Sequence, residues 1–213
     1  MQPLPNTQKK NLRRTAGEIV SQMLNVPILS GLLAAFLYFK LPPGDPNRLG
    51  GFLWTVVFLT LVPLCSLFFY IPGKVKDQAV INRRQRVASF VFMIISYPAG
   101  YAVLHSIQAP KIYQALALTY TLVTVGLIFF NLLLHYKASG HAAGVAGPVA
   151  AMIYLFGLIA APLLALLPLV SWARVRAKGH NTWQTVVGAI LSFTISIGVL
   201  WAYGFSPFIG NVH

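Results

Sequence analysis

The chain has 213 residues, 57% of them hydrophobic and only 9% charged, and 16 Lys and Arg against 3 Asp and Glu give it a formal net charge of +13. So apolar a composition excludes a single soluble domain, whose helices or strands would carry polar faces that these runs lack. The only acids are Glu18, Asp45 and Asp77. A magnesium or two-metal site usually draws several carboxylates from the protein, so no metal or other cofactor is expected.

The bases occur in short stretches between apolar runs rather than on one continuous face. That pattern argues against nucleic acid and for the headgroups of anionic or phosphorylated lipids. Cys65 is alone, so no intrachain disulfide is possible, and it reads as a small packing residue.

Residues 1–20 form a basic tail, with Lys9, Lys10, Arg13 and Arg14 just ahead of the first apolar run. No small-residue cleavage site follows, so the tail and first span read as an uncleaved anchor. Leu24 to Phe39 is the first predicted span, and the Pro, Gly and Asp of 41–50 mark a loop. The second span covers 51–71. Pro72-Gly73 then opens a basic loop holding Lys74, Lys76, Arg83, Arg84 and Arg86. Val87 to Leu104, with a kink expected at Pro98 and Gly100, and Ile112 to Leu134 are the third and fourth spans.

Residues 142–173 carry no charge at all. As one helix they would extend about 48 Å, more than one untilted crossing needs. Gly157, Pro162 and Pro168 instead predict two short helices, about 142–158 and 161–172, turning near Ala160 to Pro162. Thr182 to Tyr203 closes the series. The expected architecture is an all-α polytopic membrane protein, one domain over 1–213 with about six to seven transmembrane helices.

This reversal puts the loops 72–86, 135–141 and 173–181 on the side of the N-terminal tail. Of the sixteen Lys and Arg, only Lys40, Arg48 and Lys111 fall on the other side. The positive-inside rule makes the basic side cytoplasmic, in a cell (plasma) membrane. Trp54, Trp172, Trp183 and Trp201 read as interface anchors.

The converging loops contain an unusual set of groups. Ser139-Gly140-His141 stands before a predicted helix, where a Ser cap and free N–H groups attract an anion. Arg174, Arg176, Lys178 and His180 lie between two long apolar runs. Cations, glycine amides and two histidines are the parts of a metal-free phosphate-transfer site: cations neutralise the phosphoryl oxygens, one histidine attacks phosphorus and the other protonates the leaving oxygen.

Over residues 74–188 the chain resembles the type 2 phosphatidic acid phosphatase superfamily, whose motifs read K-x6-R-P, P-S-G-H and S-R-x5-H-x3-D. Lys76 and Arg83 have the first spacing, Ser139-Gly140-His141 matches the second, and Arg174 and His180 have the third, in the same chain order. Val87 replaces the first motif's proline, and Arg84 and Arg86 leave its register open. Lys137-Ala138 precedes Ser139 where the family's residues end in proline, and Gln184 replaces the aspartate that orients the nucleophile. His180 to Gly188 is similar to a divergent branch reading H-T-x-x-Q-V-x-x-G.

The resemblance implies a membrane-embedded core over about 74–203. It implies His180 as the nucleophile forming a phosphohistidine, His141 as the acid for the leaving group, and Lys76, Arg83, Ser139, Gly140 and Arg174 as the phosphate cradle. Gln184, one helical turn after His180, would accept the imidazole N–H without supplying an aspartate's charge. The implied activity is metal-independent hydrolysis of a lipid phosphate or isoprenyl diphosphate. A lipid phosphotransferase using the same intermediate, and a non-catalytic lipid-binding protein, are the alternatives.

Overall fold

The computed structural model describes residues 6–66, 78–177 and 179–207, and the side chains of 15–66, 87–177 and 179–207. Helix is the only regular secondary structure among the described residues: α1 (Asn6–Met23), α2 (Val26–Lys40), α3 (Arg48–Val56), α4 (Val62–Cys65), α5 (Gln78–Ser106), α6 (Lys111–Ile128), α7 (Gly140–Phe156), α8 (Leu166–Arg176) and α9 (Thr182–Ala202). Six helical segments among them are long and apolar enough to cross a membrane: Thr15–Lys40, Arg48–Cys65, Val87–Ser106, Lys111–Leu133, Gly140–Arg176 and Thr182–Ala202. The protein is a polytopic helical membrane protein. Its surface agrees, since Leu158 and Ile159 are more than four-fifths exposed, as are large parts of Trp183 and Trp201 at the two ends of α9. Such apolar surface belongs in lipid, and the two tryptophans lie where an aromatic belt would.

Association of helices in lipid depends on close packing rather than on the hydrophobic effect, and small residues permit it. The face of α7 is a run of Ala and Gly, with Ala142, Ala143, Gly144, Ala146, Gly147, Ala150 and Ala151 all buried. It receives α9 closely: Ser196 Oγ donates to the Gly147 carbonyl at 3.0 Å, and a Cβ at Gly147 would lie 2.8 Å from Ser192 Oγ. On α7's other side Val26 fills the space over Gly144, where a Cβ would meet its Cγ2 at 2.1 Å.

The second apolar segment is not a uniform α-helix. Pro63 has no N–H to give the Leu59 carbonyl four residues back, and its ring crowds that carbonyl. The helix widens to a π-turn over Val57–Leu61, and the Leu59 oxygen instead accepts Ser30 Oγ from α2 at 2.8 Å. Ser96 of α5 donates likewise to the Phe58 carbonyl. Inside a bilayer, neighbouring hydroxyls must satisfy such carbonyls because water is absent.

The predicted reversal between 142 and 173 is present, with its hinge earlier than expected. Gly157 ends α7 at φ 66 and ψ −145, a conformation essentially restricted to glycine, and residues 157–165 continue as a 3-10 helix. The 3-10 ladder keeps backbone groups bonded through the turn, as lipid requires. The second arm accordingly begins at Leu166 rather than 161 and extends through Arg176. Val170 packs with Ala142, Val145 and Val149, so the end of α8 returns beside the start of α7.

Two further boundaries differ from the sequence reading. Part of the basic tail is helical, as α1, and packs on α8: a Cβ at Gly17 would lie 2.9 Å from Arg176 Cβ and 3.0 Å from the Ala173 oxygen. The third span's helix begins at Gln78, so Arg83, Arg84 and Arg86 occupy helix rather than loop, and Pro98 lies inside it without ending it. The predicted second span runs past Ser66 into residues outside those described.

Candidate functional site

Two connections build the site, one before α7 and one before α9. The first starts where α6 ends in a π-turn over Phe129–Leu133. Asn131 Nδ2 donates to the Leu127 carbonyl at 2.7 Å, and the Tyr136 N–H to the Phe130 carbonyl at 2.9 Å, which folds 134–138 back on the helix. Ala138 is buried with Val123, Leu127 and Ala143. Ser139 caps α7, its Oγ accepting from the Ala142 N–H at 3.4 Å and its carbonyl from Ala143 at 3.0 Å. Ser139 is fully buried by this role, whereas Gly140 and His141 are partly exposed. The N–H groups of Gly140 and His141 precede the first intrahelical bonds and lie at the positive end of α7.

The second connection wraps the end of α8. The N–H groups of Gly179 and His180 both point to the Arg174 carbonyl, at 3.0 and 3.4 Å. Asn181 then caps α9 in a reciprocal box: Gln184 N–H donates to Asn181 Oδ1 at 2.9 Å and Asn181 N–H to Gln184 Oε1 at 3.1 Å. Each bond satisfies an otherwise orphaned donor of the helix start.

The two connections are joined at three points. Ser139 N–H donates to the Gln184 carbonyl at 2.9 Å, and Lys137 Nζ to the Gly179 carbonyl at 2.8 Å. Gly188 lets α9 lie against the cap itself, since a Cβ there would fall 2.4 Å from the Ser139 oxygen. The Ser-Gly-His turn and the His180 helix are therefore one unit.

Arg174 is the half-buried cation of this unit. Its Nη1 donates to Ser21 Oγ of α1 at 3.0 Å, and its guanidinium covers Gly179, where a Cβ would lie 2.5 Å from Nη2. His141 lies within electrostatic reach of both Arg174 and His180. Burial, then the charges of Arg174 and Lys137, push the His180 imidazole down to about 4, against the hydrogen-bonding influence of the Gln184 side chain and the Lys137 backbone. The ring is thus neutral at neutral pH, with a lone pair to use. Its buried Nδ1 has no hydrogen-bonding partner among the described residues.

Comparison with family models, curated proteins and solved structures gives no match to this chain.

Five sequence-predicted residues of the second and third motifs, Ser139, Gly140, His141, Arg174 and His180, come together with Gln184 at one end of the bundle. Lys76, Lys178 and the side chain of Arg83 lie outside the described residues. Arg83 itself is in α5, seven residues before Phe90, which packs against the cluster of Leu127, Ala138 and Ala143 at the site's end of the bundle. The sequence reading assigns no site role to Ser21, Lys137, Gly179 or Gly188. Gly188 was legible as the last letter of the H-x3-Q-x3-G pattern, but Ser21 carried no local signal, because only the docking of α1 on α8 brings it to Arg174.

Proposed function

We propose that this protein is a membrane-embedded phosphatase that cleaves a lipid phosphate or isoprenyl diphosphate through a phosphohistidine, as a divergent relative of the type 2 phosphatidic acid phosphatases. The observation carrying this reading is the convergence of His180, neutral at physiological pH, with His141, Arg174 and the first turn of α7 at the mouth of an otherwise apolar bundle. A lipid substrate would keep its tail in the bilayer and bring only its headgroup to this end.

In the proposed reaction the His180 imidazole attacks phosphorus. The nitrogen–phosphorus bond forms as the bond from phosphorus to the lipid oxygen breaks, and His141, which takes up a proton once the substrate's negative charge lies beside it, gives that proton to the leaving oxygen. Water then attacks the phosphohistidine, His141 takes the water's proton, and orthophosphate leaves as the nitrogen–phosphorus bond breaks. Arg174 and the Gly140 and His141 N–H groups stabilise the charge on the equatorial oxygens. An alcohol in place of water would make the same chemistry a lipid phosphotransfer. The reading places the site on the cytoplasmic face of a cell membrane, in keeping with the basic loops.

A non-catalytic lipid-phosphate-binding role is the second reading, and Gln184 favours it. Its side-chain Oε1 already accepts the Asn181 N–H, and as a neutral amide it supplies no charge to stabilise an imidazolium. Phosphate release from phosphatidic acid, phosphatidylglycerol phosphate and undecaprenyl diphosphate, measured with EDTA present, separates the two. Release that His180→Ala abolishes supports the enzyme. Folded protein that binds these lipids without release, and binds them equally after His180→Ala, supports the binding role.

A further inference from the structure

Lys137 lies in the connection before α7, two residues ahead of the Ser139 cap. Its ammonium reaches across to the connection before α9 and donates to the Gly179 carbonyl, the peptide immediately preceding His180, at 2.8 Å. The Arg174 guanidinium covers the same glycine. The two cations therefore meet at one residue beside the imidazole.

They differ in mounting. Arg174 is half-buried and fixed by Ser21, whereas Lys137 is exposed at the rim. A carbonyl is a neutral acceptor, and a phosphoryl oxygen is a charged and stronger one. A lysine ammonium has three donors on a flexible stem, so it can turn from Gly179 to an arriving anion while Arg174 stays in place.

We propose that Lys137 is a substrate-binding residue of this site, pairing with Arg174 to hold the non-bridging oxygens of one doubly charged terminal phosphoryl group. The inference rests on the reading of the site as a phosphoryl site and narrows its substrate. Two cations and the first-turn N–H groups of α7 suit the dianion of a phosphomonoester or the end of a diphosphate. A phosphodiester, with one charge and a second bulky substituent, would leave one cation unmatched.

The test is binding of inorganic orthophosphate by the purified full chain in detergent, for wild type, Lys137→Gln, Lys137→Arg, Arg174→Gln and Lys111→Gln, the last at the far end of the bundle. Loss of one charge-assisted hydrogen bond weakens binding by about 10- to 100-fold. We expect that loss in Lys137→Gln, substantial recovery in Lys137→Arg and wild-type binding in Lys111→Gln. A near-native thermal transition in Lys137→Gln separates lost binding from lost fold, and if that variant unfolds, the Lys137→Arg comparison decides. Wild-type affinity in Lys137→Gln, with weakened binding in Arg174→Gln, overturns the role of Lys137 and leaves the phosphoryl site standing. No phosphate binding by folded wild-type protein overturns both.

Discussion

A Cβ at Gly188 would lie 2.4 Å from the carbonyl oxygen of Ser139, so α9, the helix that follows His180, is in direct contact with the turn that presents His141. This contact couples the stability of the α7–α9 pair to the geometry of the site.

Gly188→Ala should accordingly destabilise the protein by about 1–3 kcal/mol, since the clash is with backbone and neither helix can yield without moving the other. Gly198, in the same helix, has open space around its Cα, so Gly198→Ala should be neutral or stabilising by up to about 1 kcal/mol. Thermal unfolding of the two variants in one detergent checks the contrast.

The His180 ring supplies a pH dependence. Its folded value, about 4, is below the ordinary 6.5, so the unfolded chain binds more protons between these values. Stability is therefore fully present above about 6.5 and declines as the pH falls towards 4. His180→Asn removes this contribution, and the difference between its unfolding profile and the wild type's should appear within that window. A parallel pair of profiles would mean that the ring is not held neutral.

Ser21→Ala removes the hydroxyl that holds Arg174 from α1. The guanidinium remains but is no longer fixed, so orthophosphate binding should weaken several-fold, less than in Arg174→Gln. Removing α1 entirely should have at least the effect of Ser21→Ala.

Gln184→Glu keeps the length that the capping box needs and adds a negative charge at a helix start, which should stabilise the protein by about 0.3–1 kcal/mol. The same charge beside the imidazole should raise the His180 value from about 4. If the phosphohistidine reading holds, turnover should rise as well. The imidazole titration, followed by NMR, checks the first effect without needing activity.

The features legible in sequence are those set by local chemistry. Uncharged runs announce the helices, and Gly157, Pro162 and Pro168 mark the reversal, although the fold places its hinge at Gly157 rather than at Ala160 to Pro162 and stretches the turn through Ala165. The R-x5-H spacing reflects how the chain wraps the end of α8: five residues separate the guanidinium from the imidazole, and both Gly179 and His180 bond back to Arg174. Asn181-x-x-Gln184 is a capping signal in the sequence, and it binds the Gln184 side chain to the helix start as well as placing it near His180. The bond from Ser30 to the Leu59 carbonyl and the Ser21–Arg174 bond depend on which helices become neighbours. No local pattern in those stretches encodes that choice.

In the proposed chemistry His180 takes phosphate covalently. The most direct measurement is to incubate the purified protein with a lipid phosphate labelled in its terminal phosphoryl group, quench in alkali, where a phosphoramidate survives, and locate the label by mass spectrometry. An acid-labile label on His180, absent from His180→Ala, is the expected result. Label-free His180 in protein that releases phosphate from the same lipid would contradict it.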